Sequence, residues 1–305
     1  MMTKNVMPVL AVVALAAVFV IQPLRASEEK PHWDYTQQGA DWAQIRDGDG
    51  NFPYATCDSG SQQSPIDIGQ AQPADLTEIQ FDYRPSVLAI LNNGHTIQVN
   101  YKSDPTSTIT VNGKTYTLRQ FHFHTQSEHT RSGVHTPLEM HLVHQSDDGA
   151  LAVVGVQIKA SSSANPAFKS IWEFLPKEEG VEQSIAGVTI NARNLLPTPR
   201  RVGGLTDSAL WLTNDTASVR IGRVIVNEER DRGQAHRPYY TYDGSLTTPA
   251  CNEGVTWYLL KDYAFMSSAQ IEALARIEAM NNNFRSTQPL EERNVLLYEL
   301  SNGRN

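Results

Sequence analysis

Two histidines alternate with phenylalanines in Gln120-Phe121-His122-Phe123-His124, and a second alternation follows in Glu139-Met140-His141-Leu142-Val143-His144. Successive side chains of an extended strand point to opposite faces, so Gln120, His122 and His124 share one face and the two phenyl rings share the other. In the second segment Glu139, His141 and Val143 form one face, and Met140, Leu142 and His144 the other. Pairing the two strands lets a third imidazole join the first two. Three neutral nitrogen ligands with one position open to water is the arrangement of catalytic rather than structural zinc. Gln120 and Glu139 each stand two residues before a candidate ligand on the same face, where a metal-bound imidazole needs an acceptor for its other N–H.

A His-x-His pair alone also fits an exposed, metal-free pair on a strand. His122-x-His124-x3-Glu128 further matches the first half of the cupin motif, which implies a double-sheet barrel holding iron or manganese through three His and one Glu. The second half, Pro-x-Gly-x2-His, does not occur after residue 130.

The elements around these segments are mostly strands. Ser86 to Leu91 and Thr96 to Tyr101 flank Asn92-Asn93-Gly94-His95, which places His95 beside a turn. Thr108 to Val111 and Lys114 to His124 flank Asn112-Gly113, a strong hairpin signal. Leu138 to His144 and Leu151 to Ile158 form two more strands around Ser146-Asp147-Asp148-Gly149. One helix is expected over about Pro166 to Phe174. Another begins with Ser267 and Gln270 as a capping box and runs through Ile271, Leu274, Ile277 and Met280. Residues 27 to 65 carry Trp33, Tyr35, Trp42 and Tyr54 without a sustained period and read as an aromatic-anchored wrap. The fold class is therefore mainly β with a few short helices.

Residues 1–26 read as a secretory signal peptide: Lys4, an apolar run from Val6 through Ile21, then Pro23-Leu24-Arg25-Ala26. That run is short for a membrane span, so no stable span is expected after its removal. Residues 27–305 are expected to form a single domain, periplasmic or secreted. The formal charge of -8 argues against a nucleic-acid partner. The two cysteines, Cys57 and Cys251, are expected to join in an oxidising compartment.

Taken together, Gln120 to His124, Ser127-Glu128-His129, Glu139 to His144, Ser245-Leu246-Thr247-Thr248-Pro249 and Val255-Thr256-Trp257 resemble the motifs of the α-class carbonic anhydrases in order. So do Gln63 to Ile68 before them, and Asn283, Arg285 and Gln288-Pro289-Leu290 after them. The resemblance spans about Trp33 to Leu290. It implies a large twisted, mostly antiparallel sheet with a central conical cleft, where His122, His124 and His141 hold one zinc ion. The implied reaction is reversible hydration of carbon dioxide to bicarbonate and a proton, by attack of zinc-bound hydroxide. Thr247 would accept from that hydroxide and donate to Glu128. Thr248 would meet substrate or bicarbonate, and Val143, Val153, Leu246, Val255 and Trp257 would form the apolar wall for carbon dioxide. Gln120, Glu139 and Asn283 would support the ligands, His95 would carry the proton away, and His129 would be a buried structural histidine.

The chain departs from the family after Leu195-Leu196-Pro197, where about 198–238 is inserted. Its Ala209 to Leu212 and Val219 to Val226 are apolar enough to order, and Glu228 to Arg232 is charged. A surface hairpin, a homodimer contact and a loop near the cleft all remain open for it. Asn214-Asp215-Thr216 is a glycosylation sequon only in a glycosylating host. A non-catalytic carbonic-anhydrase-like binding module is the alternative function, and it would be expected to lack a ligand or Thr247.

Overall fold

The computed structural model describes residues 30–103, 105–176, 178–201 and 235–300. Residues 1–26, read above as a signal peptide, the Asn214 sequence and the apolar and charged stretches within the insertion lie outside the described residues.

In chain order the strands are β1 (Gln72–Pro73), β2 (Gln80–Asp82), β3 (Ser86–Asn92), β4 (Ile97–Asn100), β5 (Thr108–Val111), β6 (Lys114–His124), β7 (Leu138–Gln145) and β8 (Leu151–Ser161). There follow β9 (Gln183–Ile190), β10 (Arg200–Arg201), β11 (Ala235–His236), β12 (Tyr239–Ser245), β13 (Glu253–Leu260), β14 (Ala264–Ser267) and β15 (Leu296–Tyr298). Thirteen of them join one sheet whose spine runs β1-β15-β12-β13-β8-β7-β6-β4-β3-β9, while β10 and β11 pair apart from it. Among the described strands only β1 with β15, β13 with β8, and β14 with β8 run parallel, so the sheet is mixed but mostly antiparallel. One continuous sheet of this kind is not the double-sheet barrel that a cupin requires.

The tight hairpin at Asn112-Gly113 forms because both residues adopt positive φ, 51° and 75°, the conformation a two-residue turn between twisted strands needs. The alternation in β6 and β7 divides the two faces of the sheet. Phe121, Phe123, Met140 and Leu142 are fully buried in the main core with Val154 and Val156. Each such side chain contributes roughly 1.5–3 kcal/mol by leaving water. The opposite face is left to the histidines.

Helix α1 (Thr56–Ser59) carries Cys57, and α2 (Lys169–Glu173) continues a 3-10 turn at Pro166–Phe168. Helix α3 (Ser268–Ala275) has the expected capping box but stops at Ala275. It does not run through Met280, because Ile277 is extended at φ -78°, ψ 128°. This break turns the chain inward, so that Met280 is buried with its sulfur 3.3 Å from the Ile97 amide.

The aromatic wrap is realised as a cluster of Trp42, Tyr54, Cys57 and Cys251 with Trp33 and Tyr35 packed against it. Cys57 and Cys251 are joined across a sequence separation of 194. The ends of the insertion meet as a short antiparallel ladder, with Arg200 opposite His236.

Candidate active site

Register selects the third histidine. His122 and His141 stand directly opposite each other on β6 and β7, and His124 stands opposite Glu139. The His122 ring lies 5.0 Å from that of His124 and 5.3 Å from that of His141, and the last two are 4.5 Å apart. One nitrogen from each ring falls within 4.8 Å of the other two. His144, on the other face of β7, is instead buried against Tyr83, with its Nε2 2.8 Å from the phenol oxygen.

Each ring of the triad has its second nitrogen tied to an oxygen that can only accept. His122 Nδ1 donates to Gln120 Oε1 at 2.8 Å, and His124 Nδ1 donates to the Asn283 carbonyl at 2.7 Å. His141 Nε2 donates to Glu139 Oε1 at 2.9 Å. The lone pairs left over are therefore Nε2 of His122, Nε2 of His124 and Nδ1 of His141. Gln120, Glu139 and Asn283 thus each hydrogen-bond to one of the three candidate ligands, Asn283 through its main chain.

Burial, followed by the neighbouring histidines, pushes the His122 imidazole well below its ordinary range. Burial also pushes His124 down, with Glu128 opposing. Glu139 is fully buried, which disfavours its charge, yet His129 and His141 more than offset this and hold its carboxyl far below the usual range. His129 is the buried structural histidine: Nδ1 and its backbone N–H both bond to Glu139, at 2.7 and 2.9 Å, and Nε2 meets the Tyr242 hydroxyl at 2.7 Å. Tyr242 in turn bonds to Ser64 Oγ at 2.9 Å. Three imidazoles, each with one ring nitrogen uncommitted, beside the buried carboxylates of Glu139 and Glu128 form a donor set suited to a borderline-soft divalent ion such as zinc. The orphaned buried atoms agree, since His124 Nε2 and Glu128 Oε2 have no hydrogen-bond partner.

Glu128 is fully buried beside the triad, Oε2 being 3.5 Å from His124 Nε2 and 3.8 Å from His141 Nδ1. Its Oε1 accepts from the Arg285 backbone N–H at 2.8 Å. The expected hydrogen bond from Thr247 to Glu128 is not made in this structure: Oε2 leans toward the histidines and stays unpartnered. Thr247 itself is buried in the loop after β12, which is closed by Leu246 N–H to Asn252 O at 3.0 Å and Cys251 N–H to Thr248 O at 2.8 Å. The disulfide ties this loop to α1. Arg285 locks the same corner, donating to Gln63 Oε1, Ser64 O and Cys57 O.

The expected apolar wall is contiguous. Val153, Val255 and Trp257 are buried in one cluster with Val143 and Leu246 packed on it. Val143 lies opposite Val153, which lies beside Trp257. The Trp257 ring meets that of His141 edge-on at 4.8 Å.

His95 sits at the turn before β4, stacked on Trp33 at 3.7 Å and 6.4 Å from the His32 ring. It lines a cavity of about 1130 Å3 together with His32, Asp34 and Asn283. Burial and then His32 hold its pKa below the ordinary value. The contributions of Ser64, Tyr242 and Arg285, and the packing of Trp33 on His95, escape a reading of the sequence by spacing. Ser64 and Arg285 stand in stretches that carry the family resemblance, but neither their partners nor the part played by Tyr242 is written in any local spacing.

A family model described as eukaryotic-type carbonic anhydrase matches residues 42–203 and 218–299. A carbonic anhydrase of Neisseria gonorrhoeae is 33% identical over 267 residues, covering 87% of this chain and 87% of its own. The solved structure of the Photobacterium profundum α-carbonic anhydrase is similar with a TM-score of 0.66 at 35% identity, over 87% of this chain and 100% of that one. Dioscorin DB3L of Dioscorea polystachya is 30% identical over 258 residues, covering 82% of this chain and 80% of its own.

Proposed function

Since the chain belongs to the α-class, eukaryotic-type carbonic anhydrase family, we propose that it reversibly hydrates carbon dioxide to bicarbonate and a proton at a zinc ion held by His122, His124 and His141. The observation that carries this reading is the tautomer pattern: each imidazole has one nitrogen committed to an acceptor and the other turned to a common point. A bound zinc ion supplies the Lewis acidity that makes water a nucleophile near neutral pH, a general property of carbonic anhydrase sites rather than a value obtained for this chain.

The remaining work falls to the chain's own residues. Val143, Val153, Leu246, Val255 and Trp257 hold carbon dioxide, an apolar molecule, against the triad. Thr247 is loop-borne and needs only to donate to the unpartnered Glu128 Oε2 for its oxygen to become an obligate acceptor, which orients the attacking lone pair. Thr248 meets substrate or bicarbonate on the same loop. His95 takes the proton released in each cycle and passes it to solvent through the cavity it lines. The buried disulfide supports export to an oxidising compartment, periplasmic or extracellular.

The unmade hydrogen bond between Thr247 and Glu128 favours a second reading, a carbonic-anhydrase-like binding module without catalysis. Against it, all three candidate ligands, Glu128 and Thr247 are present. Stopped-flow hydration of carbon dioxide, with zinc quantified in the same sample before and after chelation, tests the two. Activity tracking one zinc per chain is expected; a folded, zinc-loaded and inactive protein would leave only the binding module.

A further inference from the structure

One strand over from Glu139, directly across from it on β8, stands Gln157. This side chain is fully buried, and its Nε2 donates to the His129 carbonyl at 2.7 Å. A carbonyl can only accept, so the amide orientation is settled and Oε1 is the atom left over. It has no hydrogen-bond partner.

Gln157 forms part of the lining of a recess of about 350 Å3, together with Arg131, His135, Thr136, Lys159 and Tyr263. No carboxylate lines it. The Arg131 guanidinium is held in place by Nη1 and Nη2 donating to the Lys261 and Leu260 carbonyls, at 2.7 and 2.9 Å, while its buried Nε has no partner. The same guanidinium lies 4.5 Å from the centre of the Tyr263 ring, and the Lys159 ammonium lies 3.8 Å from it. Among the described residues neither cation forms an ion pair. Two unneutralised cations around one recess are unexpected on a chain of net charge -8.

The recess thus combines cationic donors with a buried acceptor. A cation would be repelled, and an anion with no proton of its own would leave Gln157 Oε1 unsatisfied, at the cost of a buried acceptor. The complement is a small oxyanion that keeps one O–H. We propose that this recess is a second, non-catalytic binding site for bicarbonate, its charged oxygens facing Arg131 and Lys159 and its O–H donating to Gln157. The choice of bicarbonate among protonated oxyanions rests on the hydration reading, since that reaction forms the ion in the same molecule.

The test is an NMR titration of the zinc-loaded protein at pH 8.5, following the Gln157 side-chain amide. Bicarbonate should shift it saturably. Nitrate, also planar and singly charged but without an O–H, should bind at least about tenfold more weakly. Lys159→Gln, at an exposed position, should raise the bicarbonate Kd at least about tenfold with an unchanged melting temperature. No saturable shift, nitrate equal to bicarbonate, or a Lys159→Gln protein with unaltered Kd would overturn the site. Phosphate saturating below bicarbonate would overturn the choice of ligand. Because Lys159 lines the recess and not the triad, loss of the shift in Lys159→Gln assigns it to the recess, and a protein without hydration activity that still shows that dependence would lose the catalytic reading and keep the recess.

Discussion

The main-chain carbonyl of Asn283 accepts a hydrogen bond from Nδ1 of His124 at 2.7 Å, joining residues 159 positions apart. The same asparagine accepts from the Thr125 N–H at 2.8 Å and donates to the carbonyls of His95 and Phe123, at 3.0 and 2.9 Å. A single residue thereby sets the orientation of a candidate ligand and anchors the turn that presents the candidate proton carrier.

Asn283→Ala keeps the carbonyl but strands the Thr125 N–H and the His95 carbonyl, while the Phe123 carbonyl keeps its bond from Thr96 Oγ1 at 2.6 Å. A loss of about 2–4 kcal/mol of stability is expected, together with zinc binding weakened by about tenfold or more. Thermal unfolding and chelator competition measure the two. Unchanged zinc affinity would mean that the main-chain carbonyl holds His124 without help from the Asn283 side chain.

Glu139→Gln removes the charge that accepts from both His129 and His141 on one oxygen. An amide has one acceptor oxygen where the carboxylate has two: if that oxygen keeps both rings, the amide NH2 faces the His129 backbone N–H and loses that bond, and if it turns to the backbone N–H, both rings lose theirs. Zinc affinity should fall about 10- to 100-fold. Competition against a chelator of known affinity reads this out, with far-ultraviolet dichroism confirming the fold.

Acid stability should carry a signature of His144, which burial pushes down to about 3. Above an ordinary histidine pKa of about 6.5 the ring is neutral in both folded and unfolded chains. Below it the unfolded chain binds the proton first. The stability contributed by the neutral ring is therefore present above about pH 6.5, declines as pH falls toward about 3, and levels off beneath that. His144→Phe, compared with the parent by denaturant unfolding at pH 7, 5 and 4, should show a shallower slope, by up to about 1.4 kcal/mol per pH unit. Parallel slopes would show that His144 already takes up its proton in the native state.

Reduction of Cys57–Cys251 opens a loop of sequence separation 194. On a chain-entropy account this costs about 4–5 kcal/mol. Hydration activity should fall as well, because the bond ties the loop bearing Thr247 and Thr248 to α1. A Cys57→Ser, Cys251→Ser protein assayed below its melting temperature separates the two effects.

His95→Ala should lower kcat by something on the order of 10- to 100-fold in dilute buffer, with kcat/KM much less affected. Added imidazole should restore the rate. Since burial and His32 lower the pKa of His95, the parent kcat should rise with pH through a midpoint below 6.5. A midpoint unmoved by the substitution would assign the proton to another group.

By itself the sequence determined which side chains share a face. The period of a strand is two and is read without knowing the fold, so His122 with His124, Glu139 with His141, and Phe121 with Phe123 follow from spacing alone. The hairpin at Asn112-Gly113 and the capping box of Ser267 with Gln270 were legible for the same reason: each is a local device whose partners lie within four residues. Spacing did not distinguish His141 from His144 as the third imidazole. The register of β6 on β7 did that, and a slip of one residue would have reversed the answer. Likewise α3 ends at Ala275 despite apolar residues continuing at helical spacing, because burying Met280 against Ile97 outweighs a few tenths of a kcal/mol per residue of helix propensity. The grip of Arg285 on Glu128, the relay from Ser64 through Tyr242 to His129, and the stacking of Trp33 on His95 all join segments dozens to hundreds of residues apart. No local period encodes such contacts. They exist only once the sheet has closed around them.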